Sequence, residues 1–164
     1  MHKIMITRQE FSKVIDACNA YNAMKRNPRS CCGDRIGRPK ETVWCPTEGH
    51  PMWGNEICNG GDMVKEHSTK SGKERSRHVE QILKKYSDET RITFIKRKGS
   101  SKYQFIGVYK LDDDKTNNSL ETNAPTCYWV RHLTYMMWSN ISVYIGKEKS
   151  HRLLFFHIIP TCVC

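Results

Sequence analysis

No apolar run in this sequence approaches the roughly 20 residues needed to cross a bilayer, which excludes a transmembrane helix. The opening Met1 to Thr7 holds too few apolar side chains for a secretory signal. Missing as well are a Gly-rich phosphate loop, a His-Glu-x-x-His pair and a Gly-x-Ser-x-Gly elbow, so no familiar catalytic motif is present. There is no internal repeat. Acidic residues are scarce: 17 Asp and Glu stand against 27 Lys and Arg, for a formal charge of +10 and a pI near 9.3. What is left is a chain of 164 residues, 38% apolar and 27% charged, expected to fold as one basic, soluble, cytoplasmic domain.

Eight cysteines could form four disulfides, but without a secretory signal thiols are the default. The cations are clustered. From Val64 to Lys102 twelve Lys or Arg face five acids, a local excess of +7. A patch of that size attracts a polyanion, and nucleic acid is the commonest one in a cell. A solvated face that favours solubility and an acidic protein partner are the other readings.

Thr7-Arg8-Gln9-Glu10 fits a capping box, and Phe11, Val14, Ile15, Cys18, Tyr21 and Met24 then recur at helical spacing. The spacing predicts an amphipathic helix over 8–25, with Cys18 in the core and Asn27-Pro28 beyond its end. Residues 31–62 hold Cys31, Cys32, Cys45 and Cys58 among prolines and glycines, and read as a loop with a short strand at 42–44. Lys65 to Lys73 reads as a loop too. Arg75 to Tyr86 carries Val79, Ile82, Leu83 and Tyr86 at helical spacing, a second helix with a basic wet face. The period then changes to two: 91–96 and 103–109 read as a hairpin around Lys98-Gly99-Ser100-Ser101. Alternation places Tyr103, Phe105 and Tyr109 on one face, Ile106 and Val108 on the other. Leu111 to Pro125 reads as a polar loop, with further strands at 127–133, 141–145 and 152–159. The fold class is α+β: a curved, mainly antiparallel sheet, a pseudo-barrel, flanked by two helices. The chain divides into an N-terminal helix (1–30), a Cys/Gly/Pro-rich segment (31–62) and an α+β core (63–164).

The stretch from Arg91 to Asp112, RITFIKRKGSSKYQFIGVYKLD, carries a strand ending in basic residues that turns into Tyr-x-Phe-x-Gly-x-Tyr. Tyr128-Trp129-Val130-Arg131 follows as an aromatic-plus-Arg strand, and Met52-Trp53-Gly54-Asn55-Glu56-Ile57 precedes it. Together these resemble PUA-superfamily domains of the SRA or EVE type. The resemblance covers about residues 50–135. It implies a pseudo-barrel of the kind that accompanies bacterial restriction enzymes, where several members read modified bases in DNA.

Four constellations carry chemistry. Aromatics beside cations suit a flipped or single-stranded base, which needs flat walls to stack on and positive charge for its phosphates. The expected base pocket is Trp53, Asn55, Tyr103, Phe105 and Trp129, with the Asn55 amide as edge reader; Trp44, Tyr109 and Tyr128 belong to the same aromatic set. The backbone contacts are assigned to Lys96, Arg97, Lys98, Arg75, Arg77, Lys84, Lys85 and Arg38. Arg35-Ile36-Gly37-Arg38-Pro39-Lys40 resembles the core of an AT-hook, whose Arg inserts in the minor groove. No cofactor is expected, although Cys32, Cys45, His50 and Cys58 offer four ligands with which a structural zinc could order a loop-rich segment; a disulfide at Cys31 or Cys32 and ordinary reduced thiols are the other readings. Asp112-Asp113-Asp114, Glu66-His67 and His78 are the residues a metal-dependent nuclease would draw on.

These features point to a non-catalytic DNA-binding module, DNA more than RNA, that reads a base, modified or not, through an aromatic pocket. The alternatives are a small metal-dependent nuclease of a restriction system, and a phage or mobile-element protein that inhibits a host nucleic-acid enzyme. In the latter case the apolar C-terminal tail from Ser150 to Cys164 would meet the partner.

Overall fold

The structure is a computed structural model that describes residues 9–132. Nine strands form one sheet: β1 (Glu10–Phe11), β2 (Ala23–Lys25), β3 (Cys32–Arg35), β4 (Glu41–Trp44), β5 (Trp53–Cys58), β6 (Met63–Ser68), β7 (Thr90–Lys96), β8 (Tyr103–Leu111) and β9 (Cys127–Arg131). Among the described residues three α-helices accompany it: α1 (Val14–Ala20), α2 (Gly72–Tyr86) and α3 (Asp113–Asn118). The strand order is β2-β3-β4-β7-β8-β9-β6-β5, with β1 added to β8. All pairs are antiparallel except β4 with β7.

The sheet is strongly curled. In a flat sheet β4 and β9, three strand steps apart, would lie about 14 Å from each other. Their tryptophans, Trp44 and Trp129, instead meet with ring centroids 5.8 Å apart. The concave face therefore closes on itself, and α2 packs there with Val79 and Ile82 buried against Val64, Tyr109 and Trp129. Fully burying one such aliphatic side chain stabilises the fold by roughly 1.5–3 kcal/mol. A second core lies on the other face, where Ala17 and Cys18 of α1 cover Val43, Ile92, Phe94 and Val108. The curvature is the fold class expected from the sequence.

An arginine occupies the centre of the concave face. Arg91 is buried, its guanidinium 3.6 Å from the Trp129 ring centroid and 4.7 Å from that of Trp44. Its Nη1 donates to Glu66 Oε2 at 2.9 Å and its Nε to Glu89 Oε2 at 2.9 Å. Trp129 Nε1 also donates to Glu66 Oε2, and Glu89 Oε1 accepts from Thr42 Oγ1 at 2.6 Å and from Arg26. Burial alone would push the Glu66 carboxyl up. Arg91, His78 and Trp129 outweigh it and hold the group down at about 2.

The hairpin of β7 and β8, the helix α2, the strand β9 and buried Cys18 stand where the sequence placed them. Several elements differ. The predicted helix over 8–25 is a strand, a seven-residue helix and another strand. Glu10 lies in β1, where it pairs with Gln104 and its Oε1 accepts from Gln104 Nε2 at 2.8 Å; Thr7 of the expected capping box lies outside the described residues. Asn22, at φ 50°, stops α1, and Met24 faces solvent. Phe11, Val14 and Tyr21 pack on one core from separate elements, so tertiary contacts outweigh helical spacing.

The 31–62 segment contains β3, β4 and β5, and Arg35 to Lys40 is the turn of the β3–β4 hairpin, with positive φ at Gly37 and Lys40. The expected loop at 65–73 holds most of β6. Leu111 to Pro125 contains α3, where the Asp112 side chain accepts from the Lys115 N–H, and a 3-10 turn over Ser119–Glu121.

The facing of β8 is corrected as well. Phe105 pairs with Phe94 but Gly107 with Thr93, so Ile106 is an extra residue, a β-bulge. Beyond it the side chains change faces: Tyr103 and Phe105 share the α1 side with Val108, while Tyr109 joins the α2 side. Gly107 makes this possible. Its φ is +148°, and a Cβ there would stand 3.2 Å from the Tyr109 ring. The strands expected at 141–145 and 152–159, and the C-terminal tail, lie outside the described residues.

Candidate nucleic-acid interface

β5 and the exposed side of α2 enclose a cleft of about 230 Å³ lined by Met52, Trp53, Ser68, Lys70, Glu74, Arg77, His78 and Gln81. Strand periodicity builds one wall. Trp53 lies opposite Ser68 in the β5–β6 register, so both face α2, as do Asn55 and Glu66 two residues further on. Helix periodicity builds the other: Glu74, Arg77, His78 and Gln81 are three or four residues apart and share one side of α2. The Trp53 and His78 rings meet at 4.6 Å. The cleft therefore offers a flat aromatic wall, hydroxyl and amide groups, and cations at Lys70 and Arg77; Lys70 also pairs with Glu74 at 3.2 Å.

The expected base-pocket residues are only partly brought together. Trp53 lines the cleft. Asn55 is buried two residues along, its Nδ2 donating to Thr47 O at 3.0 Å. Thr47 Oγ1 lies 3.4 Å from Tyr103 OH, and Lys96 Nζ stands 5.7 Å from the Tyr103 ring centroid, so Asn55, Thr47, Tyr103 and Lys96 form a contiguous group. Phe105 packs on Phe94 at 5.4 Å on the other face of the sheet. Trp129 is fully buried over Arg91, in the core, and does not line the cleft. Trp44 and Tyr109 are core residues too, and Tyr128 lies beneath Lys115 Nζ at 4.7 Å.

The cations also divide. Arg97 and Lys98 are exposed in the β7–β8 turn, beside half-buried Lys96, and the Lys98 N–H donates to Glu48 at 3.3 Å. Arg77, Lys84 and Lys85 are exposed along α2, and Arg38 is exposed in the β3–β4 turn, 3.6 Å from Glu41. Arg75 is committed elsewhere: it donates to Pro125 O at 2.6 Å and to Thr126 Oγ1 at 3.0 Å. Arg91, counted in the basic stretch, is internal.

The four ligands considered for zinc do not converge. Cys32 packs in the core beneath α2 and Cys45 in that beneath α1. His50 Nδ1 accepts from the Met52 N–H, and Cys58 pairs with Met63 at the far end of β5. Among the described residues the cluster with metal-ligating potential is another one, Glu66, His78 and Cys127. Ser68, Lys70, Glu74 and Gln81 line the cleft without standing out in the sequence; their only signal is the register of β5 on β6 and the three-to-four spacing along α2.

A curled mixed sheet, a helix sealing its concave face, basic turns and a cleft with an aromatic wall make up a pseudo-barrel. Residues 2–131 match the model of the SET and RING associated (SRA) domain, and the chain belongs to that family. SRA domains bind DNA. In fold it is similar to the 5-hydroxymethylcytosine-specific restriction enzyme AbaSI, with a TM-score of 0.54 and 20% identity. That similarity covers 76% of this chain and 38% of AbaSI, so the chain spans well under half the length of that enzyme. The curated proteins provide no match. Among the described residues no helix is long and apolar enough to cross a membrane.

Proposed function

We propose that the chain reads a modified base in DNA by drawing it out of the helix into the cleft between β5 and α2. The observation that carries this reading is the cleft itself: about 230 Å³, walled by Trp53 against His78 and rimmed by Lys70 and Arg77. A nucleobase stacks on Trp53 while Ser68, Gln81 and Glu74 offer donors and acceptors to its edge. Arg77 and the exposed Arg97 and Lys98 take phosphates, which fix register without reading sequence. Membership of the SRA family supports the reading, as does a restriction enzyme of similar fold that is specific for 5-hydroxymethylcytosine. An extruded base needs a concave wall with room for one planar ring, and a flat basic surface would not supply it.

The test is a fluorescence-anisotropy titration of duplexes that differ only in carrying cytosine, 5-methylcytosine or 5-hydroxymethylcytosine. The expected result is a preference of more than about tenfold, about 1.4 kcal/mol, for one modified duplex. Trp53→Ala removes a stacking wall of about 1–3 kcal/mol and should abolish that preference. Equal affinity for all three duplexes, or a preference that survives Trp53→Ala, overturns the proposal.

A further inference from the structure

Beneath the cleft, three different ligand types from three elements converge. Glu66 comes from β6, His78 from α2 and Cys127 from β9, and one ligand atom of each lies within 4.8 Å of the other two. Glu66 and Cys127 are buried. The carboxylate is already oriented: its Oε2 accepts from Arg91 Nη1 and Trp129 Nε1, each at 2.9 Å, which turns Oε1 toward His78. Oε1 stands 3.6 Å from His78 Nε2, too far for a hydrogen bond, and that nitrogen is buried with no hydrogen-bond partner. Trp53 packs against the imidazole with ring centroids 4.6 Å apart and the planes tilted by 59°, which restricts the ring's rotation. A buried imidazole nitrogen without a hydrogen bond, facing a carboxylate oxygen and a thiol at this spacing, presents the donor set of a coordination shell.

We propose that Glu66 Oε1, His78 Nε2 and Cys127 Sγ bind a divalent transition metal of the zinc class, with a fourth position open toward the cleft. Nitrogen, sulfur and oxygen donors together select a borderline-soft cation over magnesium or calcium. A tetrahedral zinc holds such donors roughly 3.4–3.8 Å apart, so side-chain adjustments of about an ångström close the shell. Arg91 and Trp129 are then the outer hydrogen bonds that orient the ligating carboxylate. His78 also lines the cleft, which gives ion and water a way in. The thiol is the group that must change: burial holds Cys127 protonated, and binding replaces its proton with the metal. The site does not depend on which base the cleft takes, since it stands on residues of the floor.

The experiment is titration of the full chain, stripped with chelator, with Co²⁺ in the absence of DNA. The expected result is one equivalent bound per chain, with a thiolate-to-cobalt charge-transfer band and intense visible bands of tetrahedral coordination, all removed by added Zn²⁺. Cys127→Val preserves an apolar side chain of similar size and should abolish the charge-transfer band, whereas Cys58→Ser should leave it intact. His78→Gln keeps the thiol and should weaken Co²⁺ binding at least tenfold, which tests the site even if the Cys127 variant fails to fold. No charge-transfer band, a band that survives Cys127→Val, or unchanged affinity in His78→Gln overturns the proposal.

Discussion

Arg91→Met is the substitution that tests how the core is held. The methionine fills much of the same apolar corridor between Trp44 and Trp129, so the change removes charge more than volume. The two carboxylates that lose a partner are not equivalent. Glu89 still accepts from Thr42 and from Arg26, whereas Glu66 is left with the Trp129 N–H and the distant His78 nitrogen. Removing one partner from a buried ion pair costs about 3–5 kcal/mol, because the remaining charge is uncompensated. For a chain of this length, at roughly 3–4 °C per kcal/mol, the melting temperature should fall by about 10–20 °C. Adding Glu66→Gln discharges the stranded group and should restore most of the loss. Urea and thermal unfolding at pH 7 in the presence of chelator, followed by circular dichroism, measure both variants. A loss below about 1 kcal/mol in Arg91→Met, or a double variant no more stable than the single, would refute the view that the cost of the substitution is the uncompensated charge left on Glu66.

Two further outcomes follow from where the cations stand. Arg97→Glu with Lys98→Glu should weaken binding to every duplex alike and reduce the slope of log affinity against log salt by about 1.8, at about 0.9 for each phosphate no longer neutralised; anisotropy at several salt concentrations reads the slope, and an unchanged one would remove the β7–β8 turn from the interface. Arg75→Ala should lower stability by about 1–3 kcal/mol, because Pro125 and Thr126 are left without their donor, while leaving the salt slope unchanged; the reverse pattern would show that Arg75 meets DNA.

The β7–β8 hairpin and α2 were legible because each is long enough for its period to show: seven and nine strand residues, and fifteen in the helix. The N-terminal segment was not. Phe11, Val14, Cys18 and Tyr21 point into one core from a strand, a helix and the turn after it, and a one-dimensional pattern cannot tell that arrangement from a single helix. Strands β2 and β3 have three and four residues, below the length at which alternation speaks. The bulge at Ile106 has a sequence trace only in Gly107, a glycine inside a strand, and without it every facing beyond Phe105 comes out inverted. The same limit applies to the aromatics. Trp53 and Trp129 look alike in sequence, yet one opens on a cleft and the other stacks on an arginine, because pairing with β6 puts Trp53 at the Ser68 end of the strand and Trp129 opposite buried Val64.

The charge arithmetic changes meaning once the structure sorts it. Of the cations between Val64 and Lys102, Arg91 neutralises carboxylates inside the core and Arg75 ties α2 to the segment before β9. Lys65 stands by Glu56 at 3.6 Å, Lys70 by Glu74 at 3.2 Å and Lys102 by Glu10 at 3.4 Å. The exposed charge that remains is concentrated in two places, the outer side of α2 with Lys73, Arg77, Lys84 and Lys85, and the β7–β8 turn with Arg97 and Lys98. The exposed positive charge therefore sits on two separate elements, not in one continuous stripe. Arg77 belongs to the first of them and also lines the cleft, so under the proposed reading it is the cation that would link a phosphate to the base. The helix that carries Arg77 is fixed from below by Val79 and Ile82 in the core. That anchoring lets α2 carry its exposed charge without its position depending on its surface ion pairs.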